Sequence, residues 1–172
     1  MHATADARPA IHAGPYRPVA VLRDALVAGL LGAAAIMVFF LVLDALAGHP
    51  LRTPTVLGSV LLGKDLSAIE SLPVSLPVVL LYTAVHTLAF LAVGYVAAWL
   101  FAVAQHHPPW IFGLLLFFIL FFCGFLAVPI VTEPGVFRVV TIPKILAGNM
   151  LAAAAMGRYL WRRRPLDLRQ LL

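Results

Sequence analysis

His86 is the side chain with the strongest claim to chemistry, because it lies in a stretch from Ser71 to Thr132 that holds no Asp, Glu, Lys or Arg. An imidazole among apolar residues can relay a proton or hold a small ligand, and in hydrocarbon it needs a partner. Counted from a helix start near 77, it lies about 14 Å in, close to the middle of a bilayer. Asn149 and Cys123 fall at a similar depth on two other apolar segments, with Tyr82 and Thr83 one turn above His86. His86, Asn149, Cys123 and Tyr82 thus form a candidate intramembrane polar layer for a proton, an ion or a small solute. The plainer alternative is that His86 donates to Asn149, Tyr82 or a backbone carbonyl and fixes helix register. Haem held by two histidines would need a second histidine in a span, and a metal site built on His86 and Cys123 is short of ligands. No cofactor and no metal is expected.

A second group, Asp44, His49, Arg52, Glu133 and Arg138, gathers within a few residues of span ends and forms a candidate outer-surface cluster. Asp44 ends an apolar run, so a salt bridge to Arg52 or Arg138 would close that end of a bundle; a cation site or a partner's docking face is the functional alternative. His106 and His107 are adjacent in a turn and read as solvated polar residues rather than metal ligands. Cys123 is the single cysteine, which excludes an internal disulfide. The chain has no GxSxG, HExxH, Walker loop, GxGxxG or CxxC, so no enzyme activity and no catalytic residue is expected.

The elements that would position these residues follow from composition. Apolar residues make up 63% of the 172 and charged ones 11%, where soluble domains carry about 25% charged residues. The expected solvent is lipid. The net charge of +5 comes largely from the C-terminal end, beside the last apolar run, which marks topology rather than nucleic-acid binding. Nineteen uncharged residues separate Asp24 from Asp44, about 28 Å of helix and one membrane span. The small residues Ala33 to Ala35 resemble a signal-cleavage site, but the apolar run continues through Leu43, so a retained span is expected.

The charge-free stretch is too long for one helix and is interrupted at Gln105-His106-His107-Pro108-Pro109. It predicts two spans and a tight turn, with Trp99 and Trp110 at one membrane face. Lys144 and Arg158 can snorkel to opposite interfaces from a fourth span. The expected fold is an all-α integral membrane protein, a four-transmembrane-helix bundle with spans of about 25–46, 77–103, 110–131 and 141–161. Residues 1–20 and 165–172 would be tails flanking a membrane domain over 21–164. Prolines stay out of the span interiors, Pro129 and Pro143 lying near span ends. Eight basic residues on the side of the termini (Arg8, Arg17, Arg23, Arg158, Arg162, Arg163, Arg164, Arg169) against four on the other (Arg52, Lys64, Arg138, Lys144) place both termini in the cytoplasm. Arginine-rich, alanine-rich usage suggests a bacterial inner membrane. In the first outer loop, Thr53 as N-cap and Pro54 at the first helical position predict a short interfacial helix, apolar at Val56, Leu57, Val60 and Leu61 and closed by Gly63.

Helices in lipid associate through close approach of small residues. Ala25, Gly29 and Ala33 recur every four residues on the first span, and Asn149, Ala153 and Gly157 do so on the fourth. Either face can pack within the monomer or against another chain. The sequence therefore favours a small multi-pass protein acting by association, as an accessory subunit of a membrane complex or as a homo-oligomer, with lipid and other membrane subunits or itself as partners and no nucleic acid. A carrier or channel through the polar layer of His86 and Asn149 is the alternative.

Overall fold

The computed structural model describes residues 18–64, 72–119 and 139–166, and among these the ordered elements are all helical. Helix α1 covers Pro18–Leu46, α2 Arg52–Leu61 and α3 Leu76–His106; a 3-10 turn at Pro108–Trp110 follows. Helix α4 is described over 111–119, and α5 covers Ile142–Arg163. Two helices, α1 over Val19–Leu46 and α3 over Leu76–Gln105, are long and apolar enough to cross a membrane. Helix α5 is not one of them, since Lys144, Asn149 and Arg158 interrupt its apolar residues. The predicted span 110–131 is described only to 119.

Local chemistry explains the helix ends. Pro77 and Pro143 sit in the first turns of α3 and α5, where a missing N–H costs nothing. Helix α1 stops at Gly48, which takes φ +78° while the His49 N–H donates to the Asp44 carbonyl at 2.9 Å. Helix α2 stops the same way, Gly63 at φ +63° and the Lys64 N–H on the Ser59 carbonyl at 3.0 Å. Both are left-handed glycine caps that satisfy carbonyls the helix leaves open.

Helices α1 and α3 run antiparallel and cross where Gly29 meets Gly94. A Cβ on Gly94 would lie 2.5 Å from the Ala25 carbonyl oxygen and 2.7 Å from the Gly29 Cα, and one on Gly29 would lie 2.6 Å from the Phe90 carbonyl oxygen. Here backbone rests on backbone. Helix α5 lies antiparallel along another side of α1: Gly148 sits against the rings of Phe39 and Phe40, and Met156 fills the space over Gly32 beside Phe90. Ala28, Ile36, Phe90, Ala97, Ala152, Met156 and Leu160 complete the shared core. The opposite faces stay apolar and exposed, as at Leu30 and Val38 on α1, Leu80 and Leu88 on α3, and Phe112 on α4.

The expectation for α2 is corrected at its cap and at Leu61, and that for α5 is filled only at Asn149. Helix α2 begins at Arg52, following Leu51 in a left-handed conformation (φ 67°), so Thr53 lies inside its first turn rather than capping it. Its buried face is Thr53, Thr55, Val56, Gly58 and Ser59, whereas Leu61 is 52% exposed; the small polar residues let α2 approach α3, with Gly58 against Val78 and Tyr82. On α5 the buried face is Gly148, Asn149, Ala152, Met156 and Leu160. Ala153 is only half-buried, and a Cβ on Gly157 would meet no described atom within 4 Å.

Candidate functional site

Between the Gly29–Gly94 crossing and α2, helices α1 and α3 leave a cleft of about 210 Å³. Ile36, Met37, Phe40 and Leu41 line it from α1, and Tyr82, Thr83 and His86 from α3. Leu51, Thr53 and Pro54 close it at the start of α2. The Thr83 hydroxyl is spent on its own helix, donating to the Val79 carbonyl at 2.8 Å.

His86 is 8% exposed. Its ring stacks on Tyr82 one turn before it (centroids 5.5 Å, 28°) and tilts against Phe90 one turn after it (4.7 Å, 43°), so the three form an aromatic file along α3. Its Nε2 is buried and has no hydrogen-bond partner among the described residues, a costly condition for a polar atom.

Asn149 is buried as well, at 2% exposed, and its Nδ2 likewise lacks a described partner. No hydrogen bond joins it to His86. Phe40, which lines the His86 cleft, also touches Gly148 next to Asn149. Tyr82 meets His86 by stacking rather than by its hydroxyl, and Cys123 lies outside the described residues. Of the four-residue polar layer, the structure brings together His86 and Tyr82.

At the α2 end, Asp44 is 8% exposed and receives two hydrogen bonds from one residue, from the Thr53 N–H at 2.7 Å and the Thr53 hydroxyl at 2.8 Å. The carboxylate therefore caps α2 from nine positions back, where it also meets the positive end of that helix. No ion pair to Arg52 forms. His49 and Arg52 instead line a separate pocket of about 280 Å³ with Pro50, Thr55 and Leu72; Glu133 and Arg138 lie outside the described residues. No group of three or more metal-ligating side chains gathers among the described residues.

Sequence reasoning missed the group at the other end. Asp24 is 3% exposed. Its Oδ2 lies 2.9 Å from Arg164 and its Oδ1 3.4 Å from both Arg163 Nε and the Tyr159 hydroxyl, while Arg164 also reaches Gln105 on α3 at 3.4 Å. One carboxylate thus ties α1 to α5, and its arginine ties both to α3. The signal was present, since Asp24 and the Arg162 to Arg164 run bound opposite ends of apolar segments, but as span markers they suggested no contact. Of the small-residue faces, Ala25, Gly29 and Ala33 are buried in the α1 interface; their partner Gly94 was not anticipated. Trp99 and Trp110 meet edge to face at 5.9 Å. Comparison of the chain with models of known families, with curated proteins and with solved structures finds no match.

Proposed function

We propose that this chain is a four-span protein of the cytoplasmic membrane, both termini inside, that acts by association as an accessory subunit or a homo-oligomer. The span count draws support from α5, which follows α1 from Phe39 and Phe40 down to Asp24. If α1 crosses a membrane, a helix that accompanies it over that length would cross beside it. Charged contacts fall at the two ends of α1, and the apolar outward faces between them suit lipid.

The observation that carries association is the small-residue face of α5, which no described residue covers at Gly157. Ala153 and Gly157 are one turn apart, and no described atom stands within 4 Å of a Cβ built on Gly157, the kind of surface on which membrane helices approach closely. Cysteine crosslinking in native membranes tests it. With Cys123→Ser as background, Gly157→Cys is expected to form an intermolecular disulfide under mild oxidant, whereas Leu88→Cys on the exposed face of α3 is not. Equal crosslinking at both positions, or none, would sink the homo-oligomer, and a bare monomer in native mass spectrometry would sink the accessory subunit as well. A carrier working through His86 and Asn149 is less favoured, because no hydrogen bond links them.

A further inference from the structure

We infer that the end of the bundle where α1 begins and α3 and α5 finish holds one anionic phospholipid, its headgroup phosphate gripped by Arg23 and Arg163. This rests on the reading of α1 and α3 as membrane-crossing helices and is independent of association.

Charge points to this end. The flanks 1–24 and 158–172 hold eight arginines and three aspartates, whereas the rest of the chain balances four basic residues with four acidic ones, so the net charge of +5 belongs entirely to these flanks. The start of α1 and the close of α5 meet at Asp24, and Arg164 reaches on to Gln105 at the close of α3. A surplus of guanidinium groups at a headgroup surface attracts anionic lipid.

The geometry around Asp24 singles out two of the arginines. Arg164, 13% exposed, engages the carboxylate Oδ2 with two of its nitrogens, Nε at 3.0 Å and Nη2 at 2.9 Å. One buried carboxylate is thereby occupied by one nearly buried arginine. Arg163 and Arg23 are left over, with Nε atoms 3.4 and 4.0 Å from Oδ1 and side chains 44% and 63% exposed. Both lie within 4.0 Å of one oxygen, so their Nε atoms are separated by less than twice that distance. A phosphate with a charge-assisted hydrogen bond of about 2.8 Å on either side spans such a gap, and the guanidinium fork suits its oxygens. No described residue accepts from the terminal Nη groups of either arginine.

The surroundings favour a lipid over a free phosphate ion. Leu26 and Leu30, three and seven positions beyond Arg23, share its face of α1 and are exposed. An acyl chain can follow that apolar track from the phosphate into the bilayer. Trp161, exposed on α5 beside the arginines, sits where an indole marks the headgroup level.

The test uses the full chain. Reconstituted in vesicles of phosphatidylcholine alone, it is expected to stay with the membrane through an alkaline carbonate wash; release would overturn the membrane reading and the lipid site together. Native mass spectrometry in neutral detergent, titrating phosphatidylglycerol or phosphatidylcholine of the same acyl chains, then reads the site by itself. The first phosphatidylglycerol is expected to bind at least about fivefold more tightly than the first phosphatidylcholine, and Arg23→Gln and Arg163→Gln are each expected to weaken it about fivefold. Phosphatidylcholine binding is expected to stay unchanged in both, and phosphatidylglycerol binding unchanged in Lys64→Gln beyond α2. Arg23→Gln decides should Arg163→Gln loosen α5, because Arg23 is largely in solvent. With the chain retained in vesicles, equal affinity for the two lipids overturns the site. So does an equal loss in Arg158→Gln, an exposed arginine outside this pair, which would indicate a diffuse field. Displacement of the lipid by inorganic phosphate beyond that by chloride at the same ionic strength also overturns it, since that marks a site for the free ion.

Discussion

Asp24 shows what a single side chain does in this molecule. Its carboxylate is nearly withdrawn from solvent, and Arg163, Arg164 and Tyr159 surround it. Removing one partner of a buried pair costs more than the pair contributes, since the remaining charges lose their counterpart. Asp24→Ala is therefore expected to destabilise the bundle by about 2 kcal/mol, discounted from the fully buried case because Arg163 remains half in solvent. Thermal unfolding in nanodiscs followed by tryptophan fluorescence measures it, and an unchanged midpoint would show the clamp to be ornamental. Thr53→Val, which keeps the N–H bond to Asp44 but deletes the hydroxyl, is expected to cost about 1 kcal/mol by the same assay. Neither contact could be read from the sequence. Asp44 and Thr53 are separated by a chain reversal whose shape depends on two left-handed residues, Gly48 and Leu51, and only the glycine announces itself.

Among the elements, α1 and α3 are held by the contact of Gly29 with Gly94. Gly94→Ala would place a methyl within 2.7 Å of three backbone atoms of α1, and since backbone cannot turn aside, the helices must separate. A loss of about 1–3 kcal/mol is expected, against little change for Gly157→Ala, where the described structure leaves open space. A reversed order would contradict the crossing point. The face of α1 was legible because Ala25, Gly29 and Ala33 repeat at helical spacing. Its partner was not, because α3 is apolar on every side and a lone glycine in such a helix has no periodicity to mark it. The prediction for α2 held for the helix, its Gly63 stop and the packing of Val56, Leu57 and Val60, and failed at its cap and at Leu61. The helix also buries Thr55, Gly58 and Ser59 against its neighbour, which small polar residues allow and an apolar count does not reveal.

On the scale of the whole molecule, the described helices share a core of small and aromatic residues, carry polar contacts at the two ends of α1 and keep apolar surfaces between. Two helices are long and apolar enough to cross a membrane; that much followed from the charge-free runs. The proposal that α5 crosses too rests on its long contact with α1, which no hydropathy pattern reveals when a lysine, an asparagine and an arginine lie along it. Reporter fusions are expected to place Lys64 outside the cytoplasm and residues beyond Arg164 within it; the opposite signals would invert the topology. The claim that most needs testing is that the protein works in company. Native mass spectrometry of the chain extracted gently from its own membrane reads partners and copy number together. The account predicts a complex, with other subunits or further copies of this chain, that dissociates in Gly157→Leu; a bare monomer in lipid, unaffected by that change, would contradict it.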